Sequence, residues 1–253
     1  MKVFVFGTGN VAHSLVYALK KANQTITGVY GRNVELLNIF ADKFNLVPFS
    51  DFKNIPDSDL YFICVKDDAI GFVAEQLNTD KTVVHCSGST DISVLEKFKN
   101  RGVIYPVQTF SKSKIIDFDN ITLLVEYQGY NAQTDIESLS RSLSHEVKFL
   151  DSAARKKLHL SAVFACNFVN HMFTCADLLC KDNNVDFVLL KPLIEETMEK
   201  ALQGSPEKVQ TGPAVRKDFS VLNSHAEMLE NYPELKKIYS FVSNNIIAFR
   251  YKK

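Results

Sequence analysis

The 253 residues carry 29 basic and 29 acidic side chains. That balance excludes the basic stripe of a nucleic-acid binder and the charged block of a solvated tail. With 46% hydrophobic and 23% charged residues, the composition is that of a soluble protein of one large or two moderate domains. Lys2 runs at once into an apolar strand, with no leader-like h-region, and no apolar run is expected to span a membrane. Cys64, Cys86, Cys166, Cys175 and Cys180 form no C-x-x-C pair. They are expected as reduced thiols in a cytoplasmic protein, with no metal site.

In chain order, residues 1–150 alternate strand-like runs (KVFVFG, TITGVY, DLYFICV, KTVVHCS, GVIYPVQ, ITLLVEY, EVKFL) with amphipathic segments. After Gly9, Val11, Leu15, Ala18 and Leu19 share a helical face. After Asn33, a plausible N-cap, Leu36, Leu37, Phe40 and Phe44 do the same. Runs such as YFICV are apolar without alternation, as strands covered on both faces require. The pattern predicts an α/β protein whose N-terminal domain, 1–150, is a Rossmann-type doubly wound sheet. From Asp151 the rhythm changes. AARKKLHLSAVFACNFVNHMFTCADLLC has no turn signal and reads as one long helix, too apolar for a surface position. DFVLLKPLIEETMEKAL, KDFSVLNSHAEMLE and PELKKIYSFVSNNIIAF read as further helices, giving an all-helical domain over 151–253.

The segment GTGNVA is G-x-G-x-x-A between the first strand and the first helix. Gly7 permits the tight turn, Gly9 lets backbone amides reach a pyrophosphate, and Ala12 lets the helix pack close. The helix N-terminus adds free N–H groups and a positive dipole end. The second strand ends Tyr30-Gly31-Arg32-Asn33. An NAD site calls for an acid there, to hold the ribose hydroxyls. Arg32 is instead placed for a 2′-phosphate and for stacking on adenine. The alternatives are a glycine turn that binds nothing and a solvated surface arginine.

GTGNVA, YGRN, ICVKDDAI and HCSGS, followed by a long helix, resemble the 6-phosphogluconate-dehydrogenase-like superfamily, which includes pyrroline-5-carboxylate reductase, ketopantoate reductase and F420-dependent NADP oxidoreductase. HCSGS, YPVQTFSK, HLSAVFACNFVNH and TGPAVRKD together resemble the Rossmann-like/DUF2520 family of NADP oxidoreductases, over nearly the whole chain. The resemblance implies NADP as cofactor. Gly7, Thr8, Gly9, Asn10 and Val11 would cradle the pyrophosphate, and Gly31, Arg32 and Asn33 the 2′-phosphate. Val65, Lys66 and Asp67 would pass the ribose, and His85, Cys86, Ser87 and Gly88 would lie at the nicotinamide. It also implies a dimer built from the helical domains.

A reductase needs a proton donor and a substrate clamp. On a regular helix His159, Asn167 and Asn170 fall at about 0°, 80° and 20° and share one face, with His171 further round at about 120°. That face is either a buried hydrogen-bonding stripe or an active-site face with His159 as acid. Hydroxyacid dehydrogenases and ketopantoate reductase place a lysine four residues before a helical Asn, where this chain has Val163. The acid is then His159, His85 or a water. Thr211, Gly212 and Arg216 in TGPAVR are candidates to hold a substrate carboxylate; the alternative is a turn with an Arg216–Asp218 surface pair. Gln108 and Thr109 are further pocket candidates, or an ordinary strand end. Cys86 cannot form a dyad with His85, since adjacent strand residues point to opposite faces.

Three functions compete. The first is an NADP(H)-dependent oxidoreductase acting on C=O or C=N of a small carboxylate-bearing metabolite. The second is a non-catalytic NADP sensor, and the third an F420-dependent NADP reductase. Its partners are a small-molecule substrate and a second copy of the chain, with no nucleic acid and no membrane.

Overall fold

A computed structural model of the chain describes residues 1–251. Its sheet has eight strands: β1 Lys2–Phe6, β2 Thr25–Tyr30, β3 Pro48–Phe49, β4 Leu60–Ile63, β5 Thr82–His85, β6 Arg101–Pro106, β7 Leu123–Gln128 and β8 Val147–Phe149. The order is β3-β2-β1-β4-β5-β6-β7-β8. All neighbours are parallel except β6 and β7. The seven strand-like runs are all strands, and the two-residue edge strand β3 is the addition. The winding order of the strands reverses between the parallel β1 and β4, which opens the crevice at the carboxyl ends where ligands bind in such sheets.

The helices of this part are α1 Asn10–Lys21, α2 Val34–Phe44, α3 Ile70–Gln76 and α4 Tyr130–Leu143. Strand alternation divides the core in two. Val3 and Val5 of β1 face Leu15 and Leu19 of α1, Leu37 and Phe40 of α2, and Ile136 and Leu139 of α4. Phe4 and Phe6 face the opposite way, toward Tyr61 and Ile63 of β4, Ile70 and Val73 of α3, and Phe98. With apolar layers on both sides, strands without polar alternation are what the architecture demands.

The long helical stretch runs from Ser152 to Asp182. It consists of α5 Ser152–Ala162, a wider π segment Val163–Phe168, and α6 Val169–Asp182. Three expectations need correction here. Its most apolar 18-residue window has a mean hydropathy of 1.3, so an apolar helix of membrane-spanning length does exist. It is also not buried within the chain: Leu160 is 59% exposed. The face drawn through His159, Asn167 and Asn170 does not hold either, because i→i+5 bonding in the π segment breaks the regular 100° step between them.

Further on lie α7 Lys191–Gln203, the short helices α8 Pro206–Val209 and α9 Pro213–Arg216, then α10 Phe219–Met228 and α11 Pro233–Tyr251. Pro192 sits in the first turn of α7, where a missing N–H costs nothing. The chain divides into compact units Met1–Cys166 and Asn167–Lys253. The division falls inside the long helix rather than ahead of it, because α5 is bonded into the sheet unit through Arg155 and Ser152.

Candidate functional site

A cleft of about 640 Å³ opens at the switch point, within the usual range for a cofactor site. Gly7, Thr8 and Gly9 form its floor, with Gly31, Arg32 and Asn33 on one side and Val65 and Lys66 on the other. Gly7 sits at φ +118°, and a Cβ there would run into the Cys64 carbonyl. Gly9 is the N-cap of α1 in extended conformation, with no side chain capping the helix and no acid in its first turn. A Cβ on Gly9 would enter open space. That space above bare helix N–H groups is the cradle an anionic pyrophosphate fits.

At the adenosine end Arg32 is exposed and lines the cleft. Asn33 caps α2, its Oδ1 accepting from Leu36 N at 2.9 Å, and it lines the cleft as an exposed residue. Leu36 and Phe72, 45% and 52% exposed, give apolar walls suited to a base. The lining holds Arg32, Lys66 and Lys112 and no carboxylate. Three cations and no acid fit a 2′-phosphorylated dinucleotide and disfavour ribose recognition by Asp or Glu.

Several expected roles are reassigned. Asn10 is turned away from a phosphate, its Nδ2 donating to the Phe110 carbonyl at 3.0 Å. It ties the loop that carries Lys112 to the glycine turn, and Val11 packs on the core as a partly buried residue. The Asp67 carboxylate accepts from the Ser89 hydroxyl and is outside the cleft lining. Ser87 Oγ accepts from Ser89 N at 3.1 Å and Thr90 N at 2.9 Å, holding its own loop. Cys86 Sγ lies 3.5 Å from Cys64 Sγ and packs against the core, as a structural thiol does.

His85 is fully buried. Its Nδ1 accepts from Ser87 N at 3.1 Å, and its Nε2 has no partner. Burial, assisted by the nearby Arg155 cation, lowers its pKa to about 4. A neutral, enclosed imidazole cannot exchange a proton with a ligand, so His85 is withdrawn as a proton source. It has a stability consequence instead. Between the unfolded value of 6.5 and about 4, the unfolded chain binds a proton that the folded chain refuses. Stability therefore falls as pH falls through that window, by about 3 kcal/mol once complete. His85→Asn keeps an acceptor for Ser87 N and is expected to flatten the decline in thermal midpoint between pH 7 and pH 4.5.

His159, by contrast, is brought to the loop after β5. Its Nδ1 is 3.1 Å from the Tyr105 hydroxyl, and the two rings meet edge to face at 5.9 Å. A Cβ on Gly88 would be 2.6 Å from His159 Nδ1 and 2.8 Å from Tyr105 Cζ, so Gly88 is the floor on which both rings rest. The helix bearing His159 is anchored by Arg155, which is fully buried. Arg155 pairs with Glu126 of β7, donates to the Thr90 carbonyl at 2.6 Å and meets Ser152 Oγ at 3.0 Å. Ser152 Oγ in turn donates to Glu126 at 2.7 Å and accepts from Ile92 N at 3.0 Å. Ser152, Arg155 and His159 occupy one stripe of α5.

The other candidates are local features of their own surroundings. Gln108 Oε1 accepts from Thr109 N at 2.8 Å, and both are exposed and outside the cleft lining. In the second unit Asn167 and Asn170 are exposed. Gly212, at φ +111°, begins α9, and Arg216 ends it, exposed like Thr211. Asp218 does not pair with Arg216; its carboxylate caps α10 by accepting from Val221 N at 3.3 Å.

Residues 2–88 match the family model described as "NADP oxidoreductase coenzyme F420-dependent", and residues 121–246 match "Domain of unknown function (DUF2520)". The crystal structure of "putative NADP oxidoreductase BF3122" from Bacteroides fragilis is 34% identical in sequence, with 97% of each chain covered and a TM-score of 0.90. The chain belongs to the DUF2520 family of NADP oxidoreductases. More distant likeness is of fold alone. A 1-pyrroline-5-carboxylate reductase from Streptococcus pyogenes is 12% identical over 98% of both chains, TM-score 0.62. A reductive aminase from Aspergillus terreus, solved with NADPH and ethyl-5-oxohexanoate, is 15% identical over 96% of this chain and 94% of its own, TM-score 0.69. No protein with curated annotation is significantly similar.

In this DUF2520 chain, sequence reasoning missed Lys112, Phe72, Tyr105 and the Arg155–Glu126 pair. The pair had a readable signal: a glutamate inside the apolar run ITLLVEY and an arginine early in an apolar helix. Lys112 had none, since nothing local says that an irregular loop folds over the glycine turn.

Proposed function

We propose that the protein is an NADP(H)-dependent oxidoreductase transferring hydride to or from a C=N or C=O group of a small carboxylate-bearing metabolite. The observation that carries the reading is the cleft in which the Gly7–Gly9 turn meets Arg32, Lys66 and Lys112 without a carboxylate. When bound there, the reduced nicotinamide supplies hydride. Gly7, Thr8 and Gly9 hold the pyrophosphate, Arg32 and Lys112 the 2′-phosphate, and Val65 and Lys66 the ribose side of the nicotinamide half. Arg216 is the candidate clamp for a substrate carboxylate, and Asn167 and Asn170 are the candidates for contacts to the reacting group. The fold shared with imine-reducing enzymes supports screening cyclic imines ahead of oxo acids.

Titration followed by nucleotide fluorescence tests this. NADPH is expected to bind at least tenfold tighter than NADH, and Arg32→Ala to erase the preference, a loss of about 1.4 kcal/mol. If neither nucleotide binds, the reading fails. The sensor reading is favoured by one observation, the lack of any acid in the cleft lining, and tight NADPH binding without turnover on any imine or oxo acid would establish it. The F420 reading rests on the match over residues 2–88 alone.

We also read the protein as a cytoplasmic homodimer. All five thiols are free. In the second unit Val188, Leu189, Leu193 and Phe241 are each more than half exposed, apolar side chains of the kind a second copy buries. Light scattering at micromolar concentration is expected to give twice the chain mass of 28.5 kDa; a particle of one chain mass overturns the dimer.

A further inference from the structure

Hydride delivery to C=N or C=O leaves a nitrogen or oxygen that must take a proton, and the donor must lie within hydrogen-bond reach. Resting on the oxidoreductase reading, we propose that Tyr105 delivers this proton through its hydroxyl, and that His159 reloads it through Nδ1. The juxtaposition that carries the proposal is at the carboxyl edge of the sheet. Tyr105 is the next-to-last residue of β6, one strand beyond the Cys86–Gly88 loop, and its hydroxyl is 3.1 Å from His159 Nδ1 on the glycine floor of Gly88.

Three titratable groups near the pair are occupied or enclosed, while the exposed Lys66 lies on the wall of the nucleotide cleft. His85 is buried and neutral, the Asp67 carboxylate is taken by Ser89, and Arg155 is held by Glu126, Ser152 and the Thr90 carbonyl. Tyr105 and His159 are both only partly buried, so the pair reaches solvent on one side. The ionisable groups around the phenol are His159 and Arg155 on α5, Cys86 after β5, Asp67 after β4 and Cys166 in the π segment. Their combined effect, led by burial, raises the Tyr105 pKa. A phenol alone is then a weak acid, and a protonated imidazole behind it supplies what it lacks.

The proton count closes. His159, protonated at both nitrogens, donates Nδ1–H to the phenol oxygen. Tyr105 donates its O–H outward to the nitrogen or oxygen that gains an electron pair as hydride arrives at carbon. As that bond forms, the Nδ1 proton moves to the phenol oxygen. The phenol is restored, His159 is left neutral with its Nε2 proton, and water reprotonates it. One hydride and one proton are consumed per reduced bond. Gly88 makes the geometry possible, since any side chain there separates the two rings.

Tyr105→Phe retains the ring on Gly88 and removes only the hydroxyl, so the fold and the nucleotide cleft should survive. Three readouts are compared with wild type: NADPH affinity by fluorescence, reduction of a panel of cyclic imines and oxo acids, and the nitrogen-15 NMR shift of His159 Nδ1 at fixed pH. We expect NADPH affinity to stay within twofold, turnover to fall at least 100-fold, and the Nδ1 nitrogen-15 shift of His159 to move because its hydrogen-bond partner is gone. His159→Gln should abolish the fall in rate on the alkaline side of the wild-type pH profile. Turnover by wild type with less than a threefold loss in Tyr105→Phe overturns the proposal and leaves the oxidoreductase reading standing. An unchanged His159 Nδ1 nitrogen-15 shift also overturns it, because the two groups then share no hydrogen bond. Wild-type protein that binds NADPH and reduces nothing in the panel overturns both.

Discussion

Arg155→Ala is expected to destabilise the protein by about 3–5 kcal/mol, the usual cost of stranding one member of a buried ion pair. The guanidinium is fully buried, and the Glu126 side chain it faces is only 11% exposed. Its loss leaves a carboxylate with Ser152 as its remaining hydrogen-bond donor, and frees the Thr90 carbonyl as well. Replacing both partners, Arg155→Met with Glu126→Leu, should recover most of the loss, because removing both charges also removes the cost of burying them. Urea unfolding followed by circular dichroism at fixed protein concentration measures both; the chain has no tryptophan. A second readout locates the effect. The Ile92 amide, bonded to Ser152 Oγ, should exchange its hydrogen faster in Arg155→Ala than in the double variant. Equal stabilities for the single and double variants would mean that the pair contributes only packing.

Gly7→Ala is expected to abolish nucleotide binding and to cost at least about 3 kcal/mol of stability. Two independent penalties combine. The residue sits at φ +118°, which L residues rarely adopt. The added Cβ also meets the Cys64 carbonyl, a backbone atom that cannot swing aside. Relief requires β1 and β4 to part at their carboxyl ends, and those ends form the cleft floor. Gly9→Ala is the control. Its Cβ enters open space, so stability should hardly change while NADPH affinity falls, because the space is the one the pyrophosphate needs. Equal loss of stability in both variants would contradict this division.

The sheet was legible because burial on both faces writes apolar runs such as YFICV, and because β1–Gly–α1 has its own local signature. The antiparallel step at β7 was not, since a long irregular connection, residues 107–122, lets the chain turn back without a helix and leaves no periodic trace. The cofactor cleft was half legible. Gly7, Gly9 and Arg32 follow from chain order at the end of β1 and β2, whereas Lys112 arrives from a distant loop and Phe72 from α3. Asn10 and Asp67 fit the motif by position but spend their side chains on neighbouring loops. Outside the cleft lining, His159 stood out by its polar character in an apolar helix. Tyr105 did not, because a tyrosine near a strand end is common, and only the absence of a side chain at Gly88 turns it into a pair.

The π segment Val163–Phe168 gives the long helix an unusual tolerance. A wide turn holds one residue more than an α-turn of the same rise. Taking one residue out of this segment lets it close into ordinary α-helix while α5 and α6 keep their orientation about the common axis. A deletion anywhere else between Ser152 and Asp182 would rotate all that follows by about 100°. Length changes in this rod are therefore confined to one place, next to the end of the segment that carries His159.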